Sequence, residues 1–177
     1  MARVPLLDET TNPELANLVA RLRAGRRGEL INVYRLLLHS PALAESWFEH
    51  SNAVRWKTEL DGRLRELVIV RIAQVQGVDY IVKQHVPALT APEGITEDDF
   101  AALTHWRMAA NFSERERAAL AYADVMTRDI EVPDSIYDEV ARHFSDRQIV
   151  ELTVLIGAYN MNTRVLKALQ IDPQTPA

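Results

Sequence analysis

The chain has 177 residues, 47% of them hydrophobic and 25% charged, enough to bury one sizeable core and too few for a second full domain, so residues 1–177 read as one unit. A formal net charge of −5 without clustered Lys or Arg excludes a nucleic-acid partner held by its phosphates. The absence of cysteine excludes disulfides, thiolate metal ligands, iron–sulfur clusters and a cysteine nucleophile together.

The first residues, MARVPLLDETTNPEL, meet two acids and a proline before an apolar run can form, so no signal peptide is expected. No apolar stretch approaches the ~18 residues of a membrane span, and a cytoplasmic protein with no membrane partner is expected. Helix-start signals then recur along the chain. Asn12-Pro13 opens a segment to about Ala24, Ile31 to His39 reads as a short helix, and Ser40-Pro41 opens a third through Trp47 to about Thr58.

The run LVIVRIAQV is rich in β-branched residues and, like LTVLIGAY further on, is short enough to be a strand by periodicity alone. Its continuation back to Arg63 and forward to Gln76, with Gly77 as a terminator, predicts a buried helix instead. A second helix, containing Tyr80 and His85, follows Gly77. Thr96 with Asp99 is a capping signal ahead of Phe100, Leu103 and Trp106; Ser113 with Glu116 and Ser145 with Gln148 fit the reciprocal capping box; Pro133-Asp134 starts one more helix. The intervening segments, Ala24 to Leu30, Pro92 to Ile95 and Ile130 to Asp134, carry the Gly and Pro of turns. The fold class is all-α, a bundle of about six to eight helices.

Residues 61–67 and 146–152 align at one constant offset, sharing Asp, an apolar residue and Glu-Leu. Two core helices with the same capping pattern, or an ancient duplication, would each produce this echo. Only the first copy leads to a histidine; the second has Gln170 at the offset of His85.

Among the five histidines none pairs with another at the i, i+4 spacing of a metal site, and no nucleophile elbow, phosphate-cradling loop or dinucleotide fingerprint occurs. Neither a metal nor a cofactor is therefore expected. The remaining chemistry lies in Glu66 and His85, on consecutive helices joined at one glycine. A carboxylate on one helix can fix the tautomer of an imidazole on its neighbour and stabilise the imidazolium. Tyr80 is a third candidate, although five residues from His85 turn it about 140° away on the same helix. Structural roles are the alternative: Glu66 paired with Arg63 or Arg65, and Trp47, Trp56 and Trp106 in core or subunit packing.

The segment RELVIVRIAQVQGVDYIVKQHVPAL, with NVYRLLLHSPAL, FSERERAALAYADVMTRD and HFSDRQIVELTVLIGAYNMNTRVLKAL, resembles the carboxymuconolactone decarboxylase and alkylhydroperoxidase AhpD-like superfamily. That resemblance implies an all-helical homo-oligomer, a trimer or hexamer, with a dimer as the lesser form. In the peroxidase branch, a Glu precedes a Cys-x-x-Cys-x-x-x-His helix. Glu66 and His85 match its ends, while the cysteine positions fall on Val78 and Ile81. Peroxide reduction by that route needs a thiolate and a resolving thiol, and Val and Ile supply neither. The cysteine-free branch shows a Tyr-Glu-Trp-x-x-His type of helix. Tyr80 and His85 keep its ends, and Ile81 and Val82 replace the acid and the aromatic.

The resemblance and the Glu–His pair imply an acid/base enzyme acting on a small organic acid or lactone by decarboxylation or isomerisation. The alternative is a non-catalytic oligomer that binds a ligand or serves as a scaffold.

Overall fold

A computed structural model describes residues 2–10, 12–26, 28–89 and 91–171, with the side chains of 84 and 86–91 outside the description. Among the described residues the architecture is all-helical: α1 (Ala16–Ala24), α2 (Asn32–Leu37), α3 (Pro41–Trp56), α4 (Gly62–Gln76), α5 (Asp79–Leu89), α6 (Glu97–Leu103), α7 (Glu114–Arg128), α8 (Asp134–His143) and α9 (Asp146–Ala168). Short 3₁₀ turns at Pro13–Leu15 and Ala91–Glu93 complete it. The count exceeds the expected six to eight because α2 and α6 are brief helices of six and seven residues. No helix of the described residues is long and apolar enough to cross a membrane.

Three capping boxes close as the side chains dictate. Thr96, Ser113 and Ser145 each accept from the amide three residues on, and Asp99, Glu116 and Gln148 reach back to the cap amide. The proline starts behave differently: neither Asn12 nor Ser40 makes a side-chain cap, and the first turn after Asn12 is 3₁₀, with α1 beginning only at Ala16. The internal echo is out of register at its caps. Asp61 itself caps α4, accepting from the Leu64 amide at 2.8 Å, whereas Ser145, one position earlier in the repeat, caps α9.

Both β-branched runs are helical: the one in α4 is buried from Leu67 to Ala73, and the one in α9 buries Leu152, Leu155, Ile156 and Tyr159 while Val154 stays exposed. Every residue of α4 from Leu64 to Ala73 is buried. A helix buried around its whole circumference needs partners on all sides, and α4 has them in α5, α7 and α9, with ion pairs for its buried Arg65, Glu66 and Arg71. Leu64, Val68, Ile69 and Ile72 face the main core; Leu67 and Val70 face a second cluster with Leu103, Trp106, Phe112 and Leu120. Between α4 and α7 lies a buried ion pair: Arg71 donates to both oxygens of Asp124, at 2.6 and 2.9 Å, and to the Leu103 carbonyl at 3.1 Å.

Gly77 ends α4 in the left-handed region (φ 64°), its amide donating to the Gln74 carbonyl and the Val78 amide to the Ala73 carbonyl. That turn reverses the chain so that α5 returns alongside α4, as the glycine signal predicts.

Candidate active site

The paired helices bring Glu66 and His85 together. The imidazole Nδ1 lies 2.6 Å from Glu66 Oε2, Glu66 is fully buried and His85 is 7% exposed. The other carboxylate oxygen is engaged by Arg55 from the last turn of α3, whose Nη2 donates to Oε1 at 2.8 Å. Arg55 Nη1 donates to the Tyr159 hydroxyl of α9 at 3.3 Å, and the Tyr159 ring meets the His85 ring edge to face at 5.8 Å. Three helices thus meet at one carboxylate, and α9 packs against the two side chains that hold it.

Charge and burial fix the protonation states. Burial acts to raise the Glu66 pKa, but the hydrogen bond from His85 and the positive charges of Arg55 and Arg65 outweigh it and hold the carboxyl below its usual range. Burial is the main influence on His85; aided by the charges of Arg55 and Arg26, it overcomes Glu66 and lowers the imidazole pKa. At neutral pH the ring is therefore neutral. With Nδ1–H donated to the carboxylate, the lone pair sits on Nε2, at the edge of the ring away from Glu66. Tyr159 is pushed up, chiefly by burial.

His85 borders a cavity of about 190 Å³, lined also by Tyr159, Arg55, Tyr80, Ile81 and Arg26 among others. The cavity is partly open, and Trp56 (52% exposed) and Met161 (43% exposed) are among the residues that line it. Tyr80 lines it with His85 despite their angular separation, the cavity being walled by residues of α2, α3, α5 and α9. The Tyr80 hydroxyl faces the Val33 backbone and closes no well-formed hydrogen bond; burial raises its pKa to about 12. Val78 and Ile81 are both buried in the main core, and Ile81 also lines the cavity.

The arginine expected beside Glu66 is only partly the one found. Arg63 turns away to Asp99 and Glu116, at 2.9 and 2.7 Å. Arg65 touches Glu66 at 3.4 Å and pairs with Glu93 at 3.0 Å. The closest cationic partner is Arg55, which sequence reasoning did not single out, nor did it single out Tyr159 or Arg26. No local pattern marks them, since each reaches the cavity from a separate helix or turn. Trp47 and Trp56 line the cavity, with Trp56 flanked by the guanidinium groups of Arg55 and Arg65 at 4.7 and 4.8 Å from its ring centre. Trp106 is core, donating to Asp124 at 3.3 Å.

An all-helical protein that buries a carboxylate–imidazole pair beside a small open cavity, with aliphatic side chains in place of thiols, is the class that fold and site define. Residues 41–125 match the model of the carboxymuconolactone decarboxylase family, which this chain resembles in a cysteine-free form. It is 33% identical over 121 residues to the uncharacterized protein YnjA of Escherichia coli (strain K12), a match spanning 68% of this chain and 66% of that one. A solved structure of a protein of unknown function from Agrobacterium tumefaciens superposes with a TM-score of 0.74 at 27% identity, over 80% of this chain and 97% of that one. The alkylhydroperoxidase AhpD core structure of a peroxidase-related protein from Ralstonia eutropha JMP134 shares the fold, with a TM-score of 0.82 at 18% identity over 98% and 92% of the two chains.

Proposed function

We propose that the protein is an acid/base enzyme acting on a small organic acid or lactone, with His85 as the proton-transferring group and Glu66 as its orienting partner. The observation that carries this reading is the 2.6 Å contact between His85 Nδ1 and Glu66 beside a cavity open to solvent. A neutral imidazole with its lone pair on Nε2 is poised to accept a proton. In an isomerisation, Nε2 takes a proton from a carbon next to a carbonyl, the C–H electrons delocalise onto the carbonyl oxygen, and the imidazolium returns the proton at another carbon. Glu66 stabilises the imidazolium during the interval. In a decarboxylation, the C–CO₂ electrons pass into the same carbonyl system, CO₂ leaves, and the proton that completes the product is taken up from solvent by His85 Nε2 and passed to the carbon. The residues of the peroxidase route, at Val78 and Ile81, offer no thiol, which argues against peroxide reduction by this chain.

Tyr80 is assigned a secondary role as a hydrogen-bond donor to a bound oxygen, kept protonated by its raised pKa. A cytoplasmic homo-oligomer is proposed, and the oligomer draws support from exposed Val150 and Val154 on one face of α9. Light scattering on the purified chain reads this directly, and a monomer at micromolar concentration refutes it.

A second reading, a non-catalytic binding or scaffold protein, draws support from the complete burial of Glu66 and its ion pair with Arg55, which joins α3 to α4 whatever the chemistry. The discriminating experiment follows deuterium incorporation next to the carbonyl, by proton NMR, across a panel of small lactones and unsaturated acids in D₂O. Enzyme-dependent exchange that is lost in His85→Asn and Glu66→Gln supports the enzyme; undiminished exchange in both variants refutes it.

A further inference from the structure

Four residues lining the cavity carry buried polar atoms without a hydrogen-bond partner: Arg26 Nε, Arg55 Nε, the Tyr80 hydroxyl and Asn162 Oδ1. Such atoms are uncommon in native interiors, and their concentration around one cavity points to a polar ligand. The two arginines differ in charge balance. Arg55 is neutralised by Glu66 at 2.8 Å. Arg26 forms none of the ion pairs found among the described residues; its one side-chain hydrogen bond there is donated by Nη2 to the Tyr34 hydroxyl at 2.7 Å. Its guanidinium carbon lies 5.2 Å from the Tyr34 ring centre and 5.9 Å from that of Phe48, an aromatic seat that holds the cation without cancelling it.

The backbone holds Arg26 just as firmly. The amides of Arg26 and Gly28 both donate to the Arg23 carbonyl at 2.9 Å, and Gly28 adopts φ 88° to close the turn. Gly25 packs so tightly against Phe48 that a Cβ there would lie 2.2 Å from the ring. The charge of Arg26 acts on Tyr80, His85 and Tyr159, which surround the same space.

We propose that Arg26 is the anion anchor of this cavity, receiving the carboxylate of a small substrate on its planar guanidinium and presenting the adjoining carbon to the far edge of the His85 ring. This deepens the acid/base reading of the same site and rests on it: Arg26 selects acids over neutral analogues, and His85 moves the proton. A planar guanidinium suits a flat carboxylate better than an ammonium would. The small cavity admits little more than one ring and its carboxylate.

The test compares benzoate with its neutral isostere benzamide, by calorimetry on the full chain and by the imidazole NMR signals of His85. Wild type should prefer benzoate by about 10- to 100-fold, the range of a charge-assisted hydrogen bond. Arg26→Gln should lose that preference, Arg26→Lys should retain part of it, and His85→Asn should leave it in place. A purely structural Arg26 would alter stability in both of its variants without moving the benzoate-to-benzamide ratio. No benzoate binding to wild type at 10 mM (about the weakest affinity worth assigning), or an unchanged ratio in Arg26→Gln, overturns the anchor. Either result leaves the deuterium-exchange test of His85 and Glu66 to stand or fall separately.

Discussion

Glu66→Gln isolates the charge of the central carboxylate while keeping its shape. The carboxylate is fully buried and faces Arg55 on one oxygen and His85 on the other. Removing one member of a buried ion pair costs about 3–5 kcal/mol, because the remaining charge stays buried without its counterion. The glutamine oxygen still accepts from Arg55 Nη2, so the lower end, about 3 kcal/mol, is expected. In a chain of this size that corresponds to a fall in Tm of roughly 6–12 °C. The same substitution also inverts the histidine. With its oxygen on Arg55, the amide NH₂ points at His85 Nδ1, which must then accept, and the ring proton moves to Nε2. Base catalysis is lost through that tautomer change in a protein that remains folded.

Differential scanning calorimetry measures the first effect, and ¹⁵N-detected imidazole NMR the second. Pairing the variant with Arg55→Met completes a cycle in which the double variant should be less destabilised than the sum by about 1 kcal/mol or more. A Tm within about 2 °C of wild type, additive single effects, or an unprotonated Nε2 in Glu66→Gln would refute the reasoning.

Acidification should destabilise the protein from just below neutrality. Burial holds the folded His85 pKa under its ordinary 6.5, so the unfolded chain takes up its proton first and stability falls from about pH 6.5 downward until the folded ring protonates. Glu66 and Asp124, whose burial is outweighed by their hydrogen-bonded partners, are held below their ordinary values; their contributions are full above those values and vanish as pH drops through the folded ones. Urea midpoints from pH 7.5 to 4 read this, and His85→Asn should flatten the first part of the curve. Arg71→Met leaves buried Asp124 with Arg107 and Trp106 as its remaining partners and should cost about 3 kcal/mol, the lower end for a broken buried pair, while leaving benzoate binding at the cavity unchanged; loss of binding would show that the two regions are coupled. Gly77→Ala forces a side chain into the left-handed turn and should cost about 1–2 kcal/mol by chemical denaturation, a neutral effect refuting that role. Gly25→Ala, pressed against Phe48, should cost about 1–3 kcal/mol and weaken benzoate binding by shifting Arg26; an unchanged benzoate affinity would separate the turn from the anchor.

Local chemistry was fully legible in the sequence. Capping boxes act over three residues, so Thr96, Ser113 and Ser145 mark the starts of α6, α7 and α9 without reference to the rest of the chain. Gly77 marks its turn because side-chain-bearing residues are disfavoured at positive φ. The absence of thiols is composition alone, and the spacing from Glu66 to His85 spans consecutive helices with one connection, so their 2.6 Å meeting was foreseeable. Proline starts were less informative: without a side-chain cap, Asn12 does not determine where α1 begins.

Long-range pairing was decided only by the tertiary structure. Arg63 and Arg65 flank Glu66 in sequence, yet Arg63 projects to the Asp99 and Glu116 side of α4, and the nearest cation comes from α3, eleven positions away. Tyr159 meets Arg55 across 104 positions. Arg26 belongs to a turn whose proximity to His85 depends on how α1, α2 and α3 stack. A helix carries its own start and stop in its residues, but the direction from which a charge arrives at a buried carboxylate is set by packing, and packing is a property of the whole chain.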